Sequence, residues 1–245
     1  VKNLTLDTKT NNAYAAFVIG DGSRVETTNE TLSGNKNTLT NCNILGGNKG
    51  FTLYVAGPTY SGSIFTKYAS ERLSDGNTIT NNYMEGKYVR DAFVFALQKN
   101  GKVQNNTFSG GELDVYMNQG ISISTNTFTN SVKAGIFISG PSKSLSITNN
   151  TITNAREHGI KSYYQIDNTP IATQYRYIDS VTITGNSIVN SGENGMDLNY
   201  FTNGSVTGNS IQNSGVHGIS LVNGSSNTTV SGNKIVGFGL GNRFR

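Results

Sequence analysis

Eight times along the chain a short strand-like run meets a polar two-residue bend and leaves into another apolar residue. The segments are LTNCNI (39–44), ITNNYM (79–84), VQNNTF (103–108), ISTNTF (123–128), ITNNTI (147–152), ITGNSI (183–188), VTGNSI (206–211) and VSGNKI (230–235). The second bend residue is Cys42 in the first and Asn82, Asn106, Asn126, Asn150, Asn186, Asn209 and Asn233 in the rest. These positions follow one another at 20 to 24 residues, apart from two longer steps of 40 and 36. A period in the low twenties with three strand-like stretches is the length of one coil of a β-solenoid. In the clearest coil, 181–198, Val181, Ile183 and Ile188 are the inward members of two strands flanking Gly185-Asn186, while Met196 and Leu198 alternate with Asp197 in a third. Gly and Asn suit the left-handed backbone of a sharp bend. Stacked about 4.8 Å apart, the asparagines form a ladder of hydrogen-bonded amides.

The third strand recurs as AFVI (16–19), AFVF (92–95), ELDV (112–115), GIFI (135–138), GIKS (159–162), GMDL (195–198) and GISL (218–221). Its second and fourth positions are expected to face inward and its third outward. One outward column then reads Val18, Val94, Asp114, Phe137, Lys161, Asp197 and Ser220, and a second, two residues on, contains Tyr116, Ser139, Tyr163, Asn199 and Val222. Extra residues fall after the third strand, at about 20–36, 56–76 and 163–179, so insertions leave the solenoid at one corner. All three prolines, Pro58, Pro141 and Pro170, lie at that corner and outside every expected strand. Loops crowded along one edge of a rigid scaffold commonly carry function.

The pattern therefore predicts an all-β, single-stranded parallel β-helix of about nine coils with three sheets and an Asn ladder. It runs without a linker, which makes 1–245 one elongated domain. Terminal coils need polar caps, so a segment of a longer protein, or one capped by partners, is expected. Composition adds less. The formal charge of +4 comes from scattered Lys and Arg, with no basic run or amphipathic helix, which speaks against nucleic acid. No apolar stretch reaches membrane-spanning length and no signal-peptide pattern is present, so membrane insertion is not expected. Cys42 is the single cysteine; standing in the Asn column, it reads as a core residue.

With its Asn ladder at 82, 106, 126, 150, 186, 209 and 233 and its strand pattern on both sides, the chain resembles the right-handed parallel β-helix of the pectate lyase-like superfamily, which includes phage tailspikes and capsule depolymerases. The resemblance covers nearly the whole chain. It implies a polysaccharide groove on the third sheet, an extracellular or virion-associated setting and, through the tailspikes, a homotrimer whose site can lie between chains. VHGISL (216–221) looks like the His-containing segment of polygalacturonases, but the paired aspartates and Arg-Ile-Lys motif of those hydrolases are missing.

The two histidines, His158 and His217, each precede a Gly-Ile pair and form one column with Asn194. Read plainly, each caps a turn; without a converging carboxylate or cysteine set they are weak as metal ligands, and neither a metal nor another cofactor, calcium included, is expected. Around His158, however, ionisable and aromatic types are dense: Arg156, Glu157, Lys161, Tyr163 and Tyr164 in one coil, then Glu193, Asn194, Asp197, Asn199 and Tyr200 in the next. β-Elimination from a uronic acid needs a group to neutralise the carboxylate, a base for the C5 proton and an acid for the leaving oxygen. Lys161 or Arg156 fits the first role, His158 the second, and Tyr163 or Tyr200 the third, with Asp197 beside them. Arg156, Glu157, Asp114, Tyr116, Phe137, Tyr164, Asn194, Asn199 and His217 are the expected substrate contacts. A plainer reading makes Lys161 and Asp197 a cross-strand ion pair. The leading expectation is a β-helix that binds and degrades an acidic polysaccharide as a lyase. The alternatives are a non-catalytic receptor-binding or stalk segment, and a glycoside hydrolase pairing Glu157 or Glu193 with Asp197. Tyr163, Tyr164, Tyr175 and Tyr177 in or beside the last long loop, and Tyr54, Tyr60 and Tyr68 in or near the second, suit a glycan rim or pin the loops down.

Overall fold

The computed structural model describes residues 1–9, 15–20, 34–46, 51–56, 73–86, 92–163 and 177–241. Every strand pairing among them is parallel, and each coil adds one strand to each of three sheets. The first sheet has eight strands, from Thr38–Thr40 to Thr229–Ser231; the second has nine, from Thr5–Asp7 to Lys234–Val236; the third has eight, from Ala15–Gly20 to Ile219–Val222. This is the expected parallel β-helix.

Alternation produces it directly. In the first sheet Leu39, Ile79, Val103, Ile123, Ile147, Ile183 and Val206 occupy one register position and are buried, while the Thr, Ser, Lys and Gln residues beside them face outward. The second sheet turns Ile44, Met84, Phe108, Phe128, Ile152, Ile188 and Ile211 inward in the same way. Inside, the Phe108 and Phe128 rings stack at 4.9 Å, and Phe93 of the third sheet meets Phe108 edge-on.

Between first and second sheets the chain bends on one left-handed residue, Asn41, Asn81, Asn105, Thr125, Asn149, Gly185, Gly208 or Gly232. The ladder residue follows at once. Asn82 donates its backbone N–H and its side-chain amide to Oδ1 of Asn106, at 3.0 and 2.9 Å, and Asn106 does the same to Asn126. The chain of amides continues through Asn150, Asn186 and Asn209 to Asn233. Each remaining amide hydrogen goes to a carbonyl of the preceding coil, as from Asn126 to Val103 at 2.8 Å. The bend's buried polar groups are thereby satisfied within the protein.

A narrow fourth row, unexpected from sequence, lies between third and first sheets: Ser74–Asp75 pairs with Gln98–Lys99, and Ser142–Lys143, Ile178–Asp179 and Phe201–Thr202 form a ribbon of three. Pro141 sits just before it, outside any strand, as anticipated. The long insertions with Pro58 and Pro170, and with them Tyr60, Tyr68, Tyr164 and Tyr175, lie outside the described residues.

Candidate functional site

The outward columns of the third sheet fall in the expected register: Val94 pairs with Asp114, Asp114 with Phe137, Phe137 with Lys161, and Lys161 with Asp197. Their surroundings differ more than alternation predicts. Val94 and Phe137 are nearly closed off from water despite their outward positions, and so are Ser139 and Asn199 in the second column. Asp114 accepts a hydrogen bond from the Ser139 hydroxyl of the next coil. Tyr116 stands two residues along the same strand from Asp114, half-buried.

At Lys161 the column changes character. Its Nζ lies 5.9 Å from the centre of the Phe137 ring, on the side away from Asp197. Although Lys161 and Asp197 are register partners, no ion pair joins them. Asp197 is held instead by neutral amides: Asn194 donates to Oδ1 at 3.1 Å and Asn199 to Oδ2 at 3.0 Å. Asn223 of the following coil donates in turn to Asn199.

His158 sits at the corner where the second sheet turns into the third, 5% exposed. Its Nδ1 accepts the backbone N–H of Asn194 at 3.3 Å, and its Nε2 stands 3.2 Å from Glu193 Oε2 and 4.0 Å from Asp197 Oδ2. Nδ1 is therefore unprotonated, and in the neutral ring Nε2 carries the hydrogen that Glu193 accepts. Burial, reinforced by the Lys161 charge, pushes the imidazole pKa below its ordinary value against the opposite pull of Asp197, Glu193 and Glu157. In this geometry His158 orients carboxylates rather than offering a lone pair to a substrate. His217, one column step beyond Asn194, is exposed and donates only its backbone N–H, to Asn194 Oδ1 at 3.0 Å. Glu157 pairs with Lys133 at 3.7 Å, and Arg156 is exposed on the same corner.

The far end of the strands is aromatic. Tyr163 and Tyr200 meet edge to face with ring centres 6.0 Å apart. The structure thus gathers His158, Lys161, Tyr163, Asn194, Asp197, Asn199 and Tyr200 over two adjacent coils, while Asp114 and Tyr116 stand two coils before Lys161. Sequence spacing placed Glu193 near Asp197 but gave no sign of its bond to His158, which depends on the depth of the corner. Among the described residues no three His, Cys, Asp or Glu side chains group as metal ligands, and no helix is long and apolar enough to cross a membrane.

A family model described as the right handed beta helix region matches residues 3–172, more than half the chain. The chain belongs to this right-handed β-helix family. No curated protein matches the sequence. Among solved structures, a mannuronic acid specific polysaccharide family 6 lyase from human gut microbiota is similar over 84% of this β-helix, at 16% identity and a TM-score of 0.49. A surface adhesin of Streptococcus pneumoniae is similar over 96%, at 14% identity and the same TM-score of 0.49. This β-helix spans 57% of the lyase chain and 77% of the adhesin. At such identities and TM-scores the likeness says nothing of the site.

Proposed function

We propose that this β-helix binds an acidic polysaccharide along the outward face of its third sheet and cleaves it by β-elimination. The observation that carries the reading is Lys161: an ammonium on that face, half-buried, with no carboxylate at ion-pair distance among the described residues. Such an ammonium can neutralise a uronate carboxylate and so acidify the C5 proton. Tyr163 lies two residues along the same strand and faces the same way, with Tyr200 against it. One of these phenols, as phenolate, takes the C5 proton; the C4–O bond breaks as the C4–C5 double bond forms; the other phenol protonates the departing oxygen. His158 holds Glu193 in the coil next to Lys161. Such a polymer is met outside the cell or at a virion surface, and a homotrimer is the assembly proposed with it, to be read by light scattering.

Incubation with a panel of uronate-containing polysaccharides is expected to generate the absorbance of an unsaturated uronate. Lys161→Met and Tyr163→Phe should each lower kcat/KM by roughly 100-fold or more with an unchanged melting temperature. Absence of both new absorbance and new reducing ends across the panel overturns the enzymatic reading.

One observation favours a second reading, binding without cleavage, as in a receptor-binding or stalk segment. Both His158 nitrogens and both Asp197 oxygens are already engaged within the protein. Retained binding with no product identifies it. Hydrolysis is supported least, because Glu193 and Asp197 face the same imidazole N–H and neither stands as the proton donor that a glycosidase requires.

A further inference from the structure

We infer that the glycan taken by this face is a heteropolymer in which each uronate is flanked by neutral or amino sugars, not a homopolymer of uronates. The inference rests on the polysaccharide reading above and concerns the order of charges along the groove. Coils rise by about 4.8 Å, close to the length that one pyranose ring adds to an extended glycan, so successive sugars lie over successive coils. Along the outward column Lys161 is followed by Asp197, an ammonium and then a carboxylate, while Phe137 on the other side of Lys161 is nearly closed off from water.

The coil after Lys161 is decisive. Between Glu193 and Tyr200 it presents two carboxylates and no cation. The donors on Asp197 are the neutral amides of Asn194 and Asn199, so they orient its charge without cancelling it. Glu193, its side chain 42% exposed, adds a second negative charge, and the nitrogen that stands at ion-pair distance from it among the described residues belongs to the buried His158 ring. A sugar over Lys161 gains by bringing a carboxylate. Its neighbour over Asp197 loses by bringing one, because like charges would meet within a single coil step on a half-buried face. What Asp197 and Glu193 can accept are hydrogen-bond donors, which sugar hydroxyls, an acetamido N–H or an ammonium supply.

The test is calorimetric titration of the full chain with two probe sets of equal length at one ionic strength. The first holds hexasaccharides of mannuronate and galacturonate; the second holds hyaluronan and chondroitin hexasaccharides, which alternate uronate with N-acetylhexosamine. The alternating probes are expected to bind about tenfold tighter or more. Asp197→Asn, and independently Glu193→Gln, should narrow that ratio by strengthening the homopolymers, whereas Lys161→Met should weaken both sets together. Homopolymers that bind as tightly as the alternating probes, or a ratio that neither variant moves, overturn the inference and leave the polysaccharide reading standing. If neither set binds, the polysaccharide reading falls and this inference falls with it.

Discussion

His158 is the ionisable side chain of the cluster that the fold holds away from water, and its titration is therefore coupled to folding. Burial first, then the Lys161 charge, set its folded pKa below the unfolded value near 6.5. Above pH 6.5 the ring is neutral in both states and its contacts contribute fully. As the pH falls below 6.5 the unfolded chain takes the proton first, so stability is lost until the pH passes under the lowered folded value. Melting curves between pH 7.5 and 5 should therefore decline more steeply for the wild type than for His158→Asn, which carries the residue that position 194 uses in the same column. Equal slopes in the two proteins would sink this account. The sequence aligned the two histidines but could not distinguish them, because the difference is one of depth: His158 is buried with Glu193 and Asp197 of the next coil within 4.0 Å, whereas His217 is exposed.

At the scale of the element, the corner before the third strand is set by glycines whose backbones are not left-handed. A Cβ at Gly159 would lie 2.5 Å from Ile188 Cγ2 and 2.6 Å from the Gly195 carbonyl; at Gly195 it would meet Ile211 Cγ2 at 2.4 Å and the Gly218 carbonyl at 2.6 Å. The small residue is needed because each coil's Ile on the second sheet packs directly against the preceding coil's turn. Gly195→Ala is expected to cost about 1–3 kcal/mol, read as a fall in denaturation midpoint, whereas outward Ser205→Ala should be nearly neutral. An unchanged midpoint for Gly195→Ala would show that the coils can spread. The strand pattern, the ladder and the common insertion corner were legible because each repeats with strict periods of two residues and one coil. The ribbon through Ser142–Lys143 and Ile178–Asp179 was not, since two-residue strands carry no alternation. Nor was the near-complete burial of Val94 and Phe137, because alternation assigns a face but not what lies over it.

Over the whole molecule each coil touches chiefly its neighbours, so stability is a sum of coil and interface contributions. The ladder is the thread common to the interfaces, and it stops short at one end. Cys42 gives its N–H to Asn82 Oδ1 at 2.9 Å, yet its thiol supplies no amide oxygen for the half-buried Leu4 in the coil before it. Cys42→Asn should extend the ladder by one coil and raise the melting temperature by about 2–4 °C; a lower value would show that the thiol's fit outweighs the added bond. Within the ladder, every asparagine from Asn82 to Asn209 donates toward the next coil and every acceptor oxygen from Asn106 onward faces back. The amide dipoles thus point one way through the interior. Hydrogen bonds in such a row polarise one another, which gives an otherwise repetitive rod a built-in electrical direction, with its hydrogen-donating end toward Asn233.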